Sequence, residues 1–345
     1  MDLALFDYAL PPALIAQEPA EPRDTSRLLV LQRGARRWED RRFSDLPELL
    51  RPGDCLVVNT SRVIPARLMG EIGTGGRPVE LLLYRELSAT RWEALARPGR
   101  RCRRGTRIAL AGGAAGATVV EERPDGVRIV DIESPAGVEE LLERHGLPPL
   151  PPYIGRHGAP KPEDRERYQT VYAQEGASVA APTAGLHFTE GVMARLAARG
   201  IEVQGLRLDV GPPTFRPITA DQVERHRMAP EPVAVPVATA EAVMRAKGEG
   251  RRVVAVGTTT ARALESVADG SGSVRAGAGS ADLFIRPPHR FRVVDALLTN
   301  FHLPRSTLLL LVSAFAGREL ILEAYGHAVA RAYRFYSYGD AMLIE

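Results

Sequence analysis

Between residues 67 and 132 the chain breaks into six short runs, 67–72, 79–85, 92–97, 107–110, 118–122 and 127–132, each reading as a strand bounded by turn residues. Short strands at that spacing predict a small antiparallel barrel. From Ser178 onward helix and strand alternate instead. Thr189 reads as the N-cap of a helix running to Arg199, Gly200 lies past its end, and residues 201–208 form an apolar strand. Such alternation predicts a largely parallel sheet. Further along come a helix at 240–247 ending at Gly248, a strand at 253–256, a helix at 258–267, strands at 282–285 and 293–298, and a helix opened by Pro304 and running to Phe315. Thr219-Ala220-Asp221-Gln222 reads as a capping box. Residues 271–280, rich in Gly and Ser, read as a flexible loop.

Residues 1–66 carry strands at 27–31 and 56–58 and are expected to join the later part of the chain. The fold class is therefore α/β: a mixed α/β main domain built from both chain ends, 1–66 plus 153–345, with an inserted small antiparallel β-barrel domain over 67–152. A short helix at 138–144 and the stiff Pro148-Pro149-Leu150-Pro151-Pro152 segment carry the chain back. Two domains is also what 345 residues predict.

Lys161 and Lys247 are the only lysines, so nearly all the positive charge is guanidinium, which suits phosphate and base recognition. Coding bias or growth at high temperature is the simpler account. Cys55 and Cys102 are too few for a disulfide framework and too far apart for a zinc site. Residues 1–10 carry Asp2 and Asp7 without a basic start, and no run approaches the roughly 18 apolar residues of a membrane span, so a cytoplasmic protein is expected. Dinucleotide, P-loop, zinc-protease and nucleophile-elbow signatures are all missing.

Candidate chemistry sits in a few loaded loops. Thr299 to Thr307 packs Asn300, His302, Arg305 and Ser306 between aliphatic runs, and Asn300 is one of only two asparagines. The other, Asn59, also follows a strand and precedes Arg62 and Arg67. Residues 178–189 offer Thr183, Gly185 and His187. Imidazole titrates near working pH, which makes His187 a candidate base, with a satisfied core histidine beside an N-cap as the alternative. Asp209 follows a strand end and suits a ribose hydroxyl or a cation; a solvated turn carboxylate is the alternative. Thr258 and Thr259 open a helix, where an anion binds well, although simple capping explains them nearly as well. Arg97, Arg100, Arg101, Arg103, Arg104 and Arg107 form an acid-free cluster in the barrel, either a nucleic-acid footprint or a solvated face.

These segments, with Phe6-Asp7-Tyr8, Leu14-Ile15-Ala16-Gln17, Ser26-Arg27-Leu28-Leu29 and residues 333–344, resemble the S-adenosylmethionine:tRNA ribosyltransferase-isomerase family of queuosine synthesis over nearly the whole chain. The resemblance implies a mixed α/β domain with an inserted barrel. It implies transfer of the ribosyl part of S-adenosylmethionine to 7-aminomethyl-7-deazaguanine at the tRNA wobble position, giving epoxyqueuosine, adenine and methionine. S-adenosylmethionine is then a co-substrate, with no metal and no tightly bound cofactor, and tRNA is the macromolecular partner of an expected monomer. His187, His302 and Asp209 become the catalytic candidates. Asn59, Arg62, Arg67, Thr183, Gly185, Thr258, Thr259, Asn300, Arg305 and Ser306 become substrate contacts, the methionine carboxylate taking either Thr258-Thr259 or Arg305, and Arg97, Arg100, Arg101, Arg103 and Arg104 hold tRNA phosphates. The chain departs from the family pattern at Asp209, where histidine is common, at Pro213, and at Pro287-Pro288. An RNA-binding paralogue with altered catalysis is the competing reading. A methyltransferase is disfavoured by the absent glycine fingerprint.

Overall fold

Five consecutive buried residues, Cys55–Asn59, leave neither face of their strand to water, and they form an inner strand of a nine-stranded sheet. The structure, a computed structural model, describes all residues except 157–159, 212–222, 224, 225 and 227. Its strands in chain order are β1 (Arg27–Gln32), β2 (Arg37–Arg42), β3 (Cys55–Asn59), β4 (Arg67–Ile72), β5 (Arg77–Glu86), β6 (Arg91–Arg97), β7 (Arg107–Leu110), β8 (Ala115–Glu122), β9 (Val127–Glu133), β10 (Glu202–Leu208), β11 (Glu231–Val235), β12 (Val253–Val256), β13 (Gly277–Ala281), β14 (Ala296–Asn300) and β15 (Ala341–Ile344). The α-helices are α1 (Leu46–Leu49), α2 (Val138–His145), α3 (Asp164–Arg167), α4 (Glu190–Ala198), α5 (Val237–Gly248), α6 (Thr258–Val267), α7 (Thr307–Ala316) and α8 (Arg318–Ala330). They pack as two units: Met1–Ser61 with Gln169–Glu175 and Ala181–Glu345, and Arg62–Tyr168 with Gly176–Ala180.

The first unit holds the nine-stranded sheet, ordered β13-β11-β10-β3-β12-β14-β15-β1-β2. β10, β3, β12 and β14 run parallel, and β1 is parallel to β15. β15 is antiparallel to β14, and β2, β11 and β13 pair antiparallel at the flanks. The expected largely parallel sheet is therefore mixed. Residues 33–36 between β1 and β2 are too short for a crossover, so that pair has to be antiparallel. Alternate sheet residues Leu28, Val30, Leu56, Val58, Val254 and Leu298 pack with Phe43, Phe188, Val192 and Leu196 in one core. α4 enters it through the Thr189 hydroxyl, which accepts from Val192 N at 3.2 Å, and Gly200 takes φ 72° just past its end. The outer strand β2 is charged and almost wholly exposed, which discourages pairing with another chain.

The second unit is a closed antiparallel barrel, β4-β5-β6-β9-β8-β7, as the six short runs predict. Val79, Leu81 and Leu83 alternate inward from β5 and meet Leu68, Ile108, Val119 and Val130, while Val138, Leu141 and Leu142 of α2 pack on the same core. Closure brings β4 so near β7 that a Cβ on Gly70 would lie 2.7 Å from Ile108. Arg67 pairs with Leu147 through its backbone, and its Nη2 donates to Leu150 O at 2.9 Å, which anchors the proline-rich segment.

Five local expectations need correction. Residues 277–281, read as loop, form β13, because small side chains leave the backbone free to pair with β11. Residues 282–285 are not a strand, and β14 begins at Ala296 instead of 293, since the N–H groups of Val293 and Val294 go to the Glu265 carboxylate and not to a ladder. α7 begins at Thr307 with Ser306 as its N-cap, so Pro304 is not in its first turn. α5 starts at Val237, ahead of the expected 240. Residues 212–215 and the capping box at 219–222 lie outside the described residues.

Candidate active site

Because β10, β3, β12 and β14 run the same way, Asp209, Asn59, Gly257 and Asn300 stand at one edge of the sheet, where open α/β sheets bind ligands. Asn59 is fully buried, and its amide acts as an extra peptide group. Nδ2 donates to Leu208 O at 2.9 Å, while Oδ1 accepts from Leu208 N at 3.0 Å and Ser61 N at 3.1 Å. That zips β3 to β10 and presents Ser61, whose hydroxyl donates to Asp209. Asp209 also faces Arg207 Nε at 3.6 Å, with its side chain 15% exposed. Asn59 therefore supports the site without an acceptor left for substrate.

His187 ends a 3-10 turn, Thr183–His187, and is buried against the ring of Phe43. Its Nε2 lies 3.2 Å from Asn300 Nδ2 and its Nδ1 2.7 Å from Ser26 Oγ. Asn300 Nδ2 also donates to Tyr336 O at 3.1 Å, which orients the amide and assigns the ring proton to Nδ1. Tyr336 holds φ 77°, an uncommon conformation for a side chain of its size, beside this cluster. Asn300 Oδ1 is a buried acceptor without a partner among the described residues. Burial, with smaller contributions from Arg334 and Arg23, pushes the His187 pKa down to about 3, so the imidazole is neutral at working pH. Gly185 is required by Tyr172, whose hydroxyl would meet an added Cβ at 2.1 Å; Thr183 is half-buried at the start of the turn.

His302 is held separately. Its Nε2 lies 2.9 Å from Thr299 Oγ1, its N donates to Tyr325 Oη at 3.0 Å, and its carbonyl accepts from the Tyr8 hydroxyl. Burial pushes its pKa down to about 3 as well. Thr299 and Asn300 are successive residues of β14 and point to opposite faces of the sheet, so the two imidazoles are held on different sides of β14. Arg305, at φ 58°, is exposed and paired with Asp7 at 3.2 Å, and Ser306 Oγ is occupied as the cap of α7, accepting from Leu309 N at 3.2 Å.

α6 has no such cap. Gly257, at φ 90°, leaves its first N–H groups without a side-chain acceptor, and Thr259 Oγ1 is buried with no partner among the described residues. A narrow cleft opens there, lined by Thr258, Thr259, Arg262 and Thr307 with apolar walls that include Leu283 and Leu311. Arg262 was missed in the sequence, although its place one turn after Thr258 puts it on the same helix face. It is 4% exposed and pairs with Glu231. Arg62 and Arg67 belong to the barrel unit, where Arg62 pairs with Glu143 at 3.5 Å. Arg97, Arg100, Arg101, Arg103 and Arg104 are exposed there; Arg103 meets Glu122 at 3.2 Å and Arg101 donates to Pro78 O. Among the described residues no cluster of His, Cys, Asp or Glu is placed to hold a metal ion, and no helix is long and apolar enough to cross a membrane.

The sequence pattern of the family described as queuosine biosynthesis protein matches residues 3–344. The chain belongs to that family. A relative from Symbiobacterium thermophilum named S-adenosylmethionine:tRNA ribosyltransferase-isomerase is 52% identical over 344 residues, all of both chains. One of the same name from Thermus thermophilus is 56% identical over 352 aligned residues, 99% of each. The crystal structure of a Thermotoga maritima S-adenosylmethionine tRNA ribosyltransferase has 38% identity and a TM-score of 0.56, over 99% of this chain and all of that one.

Proposed function

We propose that the protein is an S-adenosylmethionine:tRNA ribosyltransferase-isomerase. It transfers and isomerises the ribosyl moiety of S-adenosylmethionine onto the aminomethyl group of 7-aminomethyl-7-deazaguanine at the tRNA wobble position, giving epoxyqueuosine-tRNA, adenine and methionine. The observation that carries this reading is full-length identity of 52% to a relative bearing that name. The geometry supports it, because family motifs far apart in sequence meet at the ends of four parallel strands.

The sulfonium acidifies the neighbouring C5′ hydrogens, so the reaction needs a positioned base and a donor near the departing adenine. His187 and His302, held neutral by burial, are poor proton acceptors, and act in this reading by orientation: His187 fixes Asn300, whose open Oδ1 takes a donor from substrate. Asp209, oriented by Ser61, supplies the carboxylate at the reacting edge. The barrel arginines hold anticodon-arm phosphates, and the wobble base is splayed out of its loop to react.

Purified protein incubated with S-adenosylmethionine and tRNA carrying the aminomethyl base should release adenine and methionine in equal amounts and form epoxyqueuosine. Tight tRNA binding with no adenine release would establish the RNA-binding alternative instead.

A further inference from the structure

The start of α6 combines three features: uncapped helix N–H groups, a buried hydroxyl without a partner among the described residues, and a buried guanidinium. The Nε of Arg262 has no acceptor among the described residues, although the same guanidinium pairs with Glu231. A helix N-terminus carries partial positive charge, and Arg262, its charge shared with Glu231, adds the unpaired Nε–H as a donor, so the polar floor of this cleft selects an anion. Its walls, Leu283, Ile285 and Leu311 among them, select an apolar chain attached to that anion. The enclosed space, about 20 Å³, is that of one small polar group such as a carboxylate, far below a whole co-substrate. Adenine would need in-plane acceptors as well as donors, and a ribose diol is better matched by a carboxylate such as Asp209. A carboxylate on a short thioether chain satisfies both floor and walls.

We propose that this cleft binds the amino-acid end of S-adenosylmethionine, its carboxylate on the N–H groups of Thr258 and Thr259, the Thr259 hydroxyl and the Arg262 guanidinium. The assignment rests on the transferase reading above. It removes Arg305 and Ser306 from carboxylate binding, since one is tied to Asp7 in solvent and the other caps α7. Arg262 thereby becomes a substrate-binding residue.

The test compares S-adenosylmethionine with its decarboxylated analogue, which lacks only the carboxylate, by equilibrium binding to the intact protein. Wild type should prefer the parent by about 10²-fold, the worth of charge-assisted hydrogen bonds to a desolvated carboxylate. Thr259→Val, which removes only the hydroxyl, and Arg262→Lys, which keeps the charge opposite Glu231, should each shrink that ratio to about 10-fold by weakening the parent alone. A wild-type ratio near one overturns the placement, as do variants that weaken both ligands equally. If S-adenosylmethionine neither binds nor turns over, the transferase reading itself fails; normal turnover with a ratio near one removes only the carboxylate site.

Discussion

Asn59 uses both ends of its amide on the backbone, and its removal strands the N–H and C=O of Leu208 together with the N–H of Ser61. Asn59→Leu is therefore expected to cost about 2–4 kcal/mol of stability, read from urea unfolding midpoints. A stability unchanged while KM rises would return it to substrate binding. Scarcity in the sequence singled the residue out, but only the register of β3 and β10 shows whom it serves. His187 and His302 carry a second prediction. Both are neutral when folded and become protonated near the ordinary histidine pKa of 6.5 when unfolded, so acid favours the unfolded chain. Stability should fall with pH from about 6.5 downward, each buried histidine contributing up to about 1.4 kcal/mol per pH unit. Carboxylates held low, such as Glu265, lose their contribution only at lower pH, while His226, whose pKa burial also lowers, adds its own share between pH 6.5 and 5. His302→Asn should flatten the slope of Tm against pH there; an unchanged slope would mean that His302 is already accessible to protons.

At the scale of elements, the strap running from β13 to β14 shows why apolar composition alone did not identify its structure. Residues 282–285 and 293–295 look like strands, yet Leu283 and Ile285 line the cleft and Glu265 takes the N–H groups of Arg292, Val293 and Val294. Burial alone would raise the Glu265 carboxyl, but His289 and those N–H groups outweigh it and hold the pKa below its usual value. Glu265→Gln should speed amide exchange at residues 292–294 by about 10-fold or more, as expected when one shared acceptor is lost. Protection equal to wild type would show that the strap is held by other contacts. Long periodic elements such as α4 and the barrel strands were legible because capping and alternation are local. The edge strand β13 was not, since its partner β11 is set by distant chain, and the start of α7 was misplaced because Pro304 resembles a first-turn proline while the cap is Ser306.

For the whole molecule, the basic surface of the barrel is a prediction about tRNA. Replacing Arg100, Arg101 and Arg104 together by Gln should weaken tRNA binding and reduce the slope of log affinity against log salt by about two, as loss of three phosphate contacts requires. The barrel core should stay intact, because these side chains are exposed. An unchanged slope would leave the arginines as a solvated face. Family motifs made the overall class readable from sequence, whereas proposing Arg262 in place of Arg305 for the carboxylate required the two helix starts to be seen capped and uncapped. The most direct test of the proposed chemistry uses S-adenosylmethionine carrying one label in its ribose carbons and another in its methyl group, with tRNA bearing the aminomethyl base. Ribose label should enter tRNA in step with adenine release while methyl label leaves with methionine; methyl label in tRNA, or adenine release without ribose transfer, would contradict it.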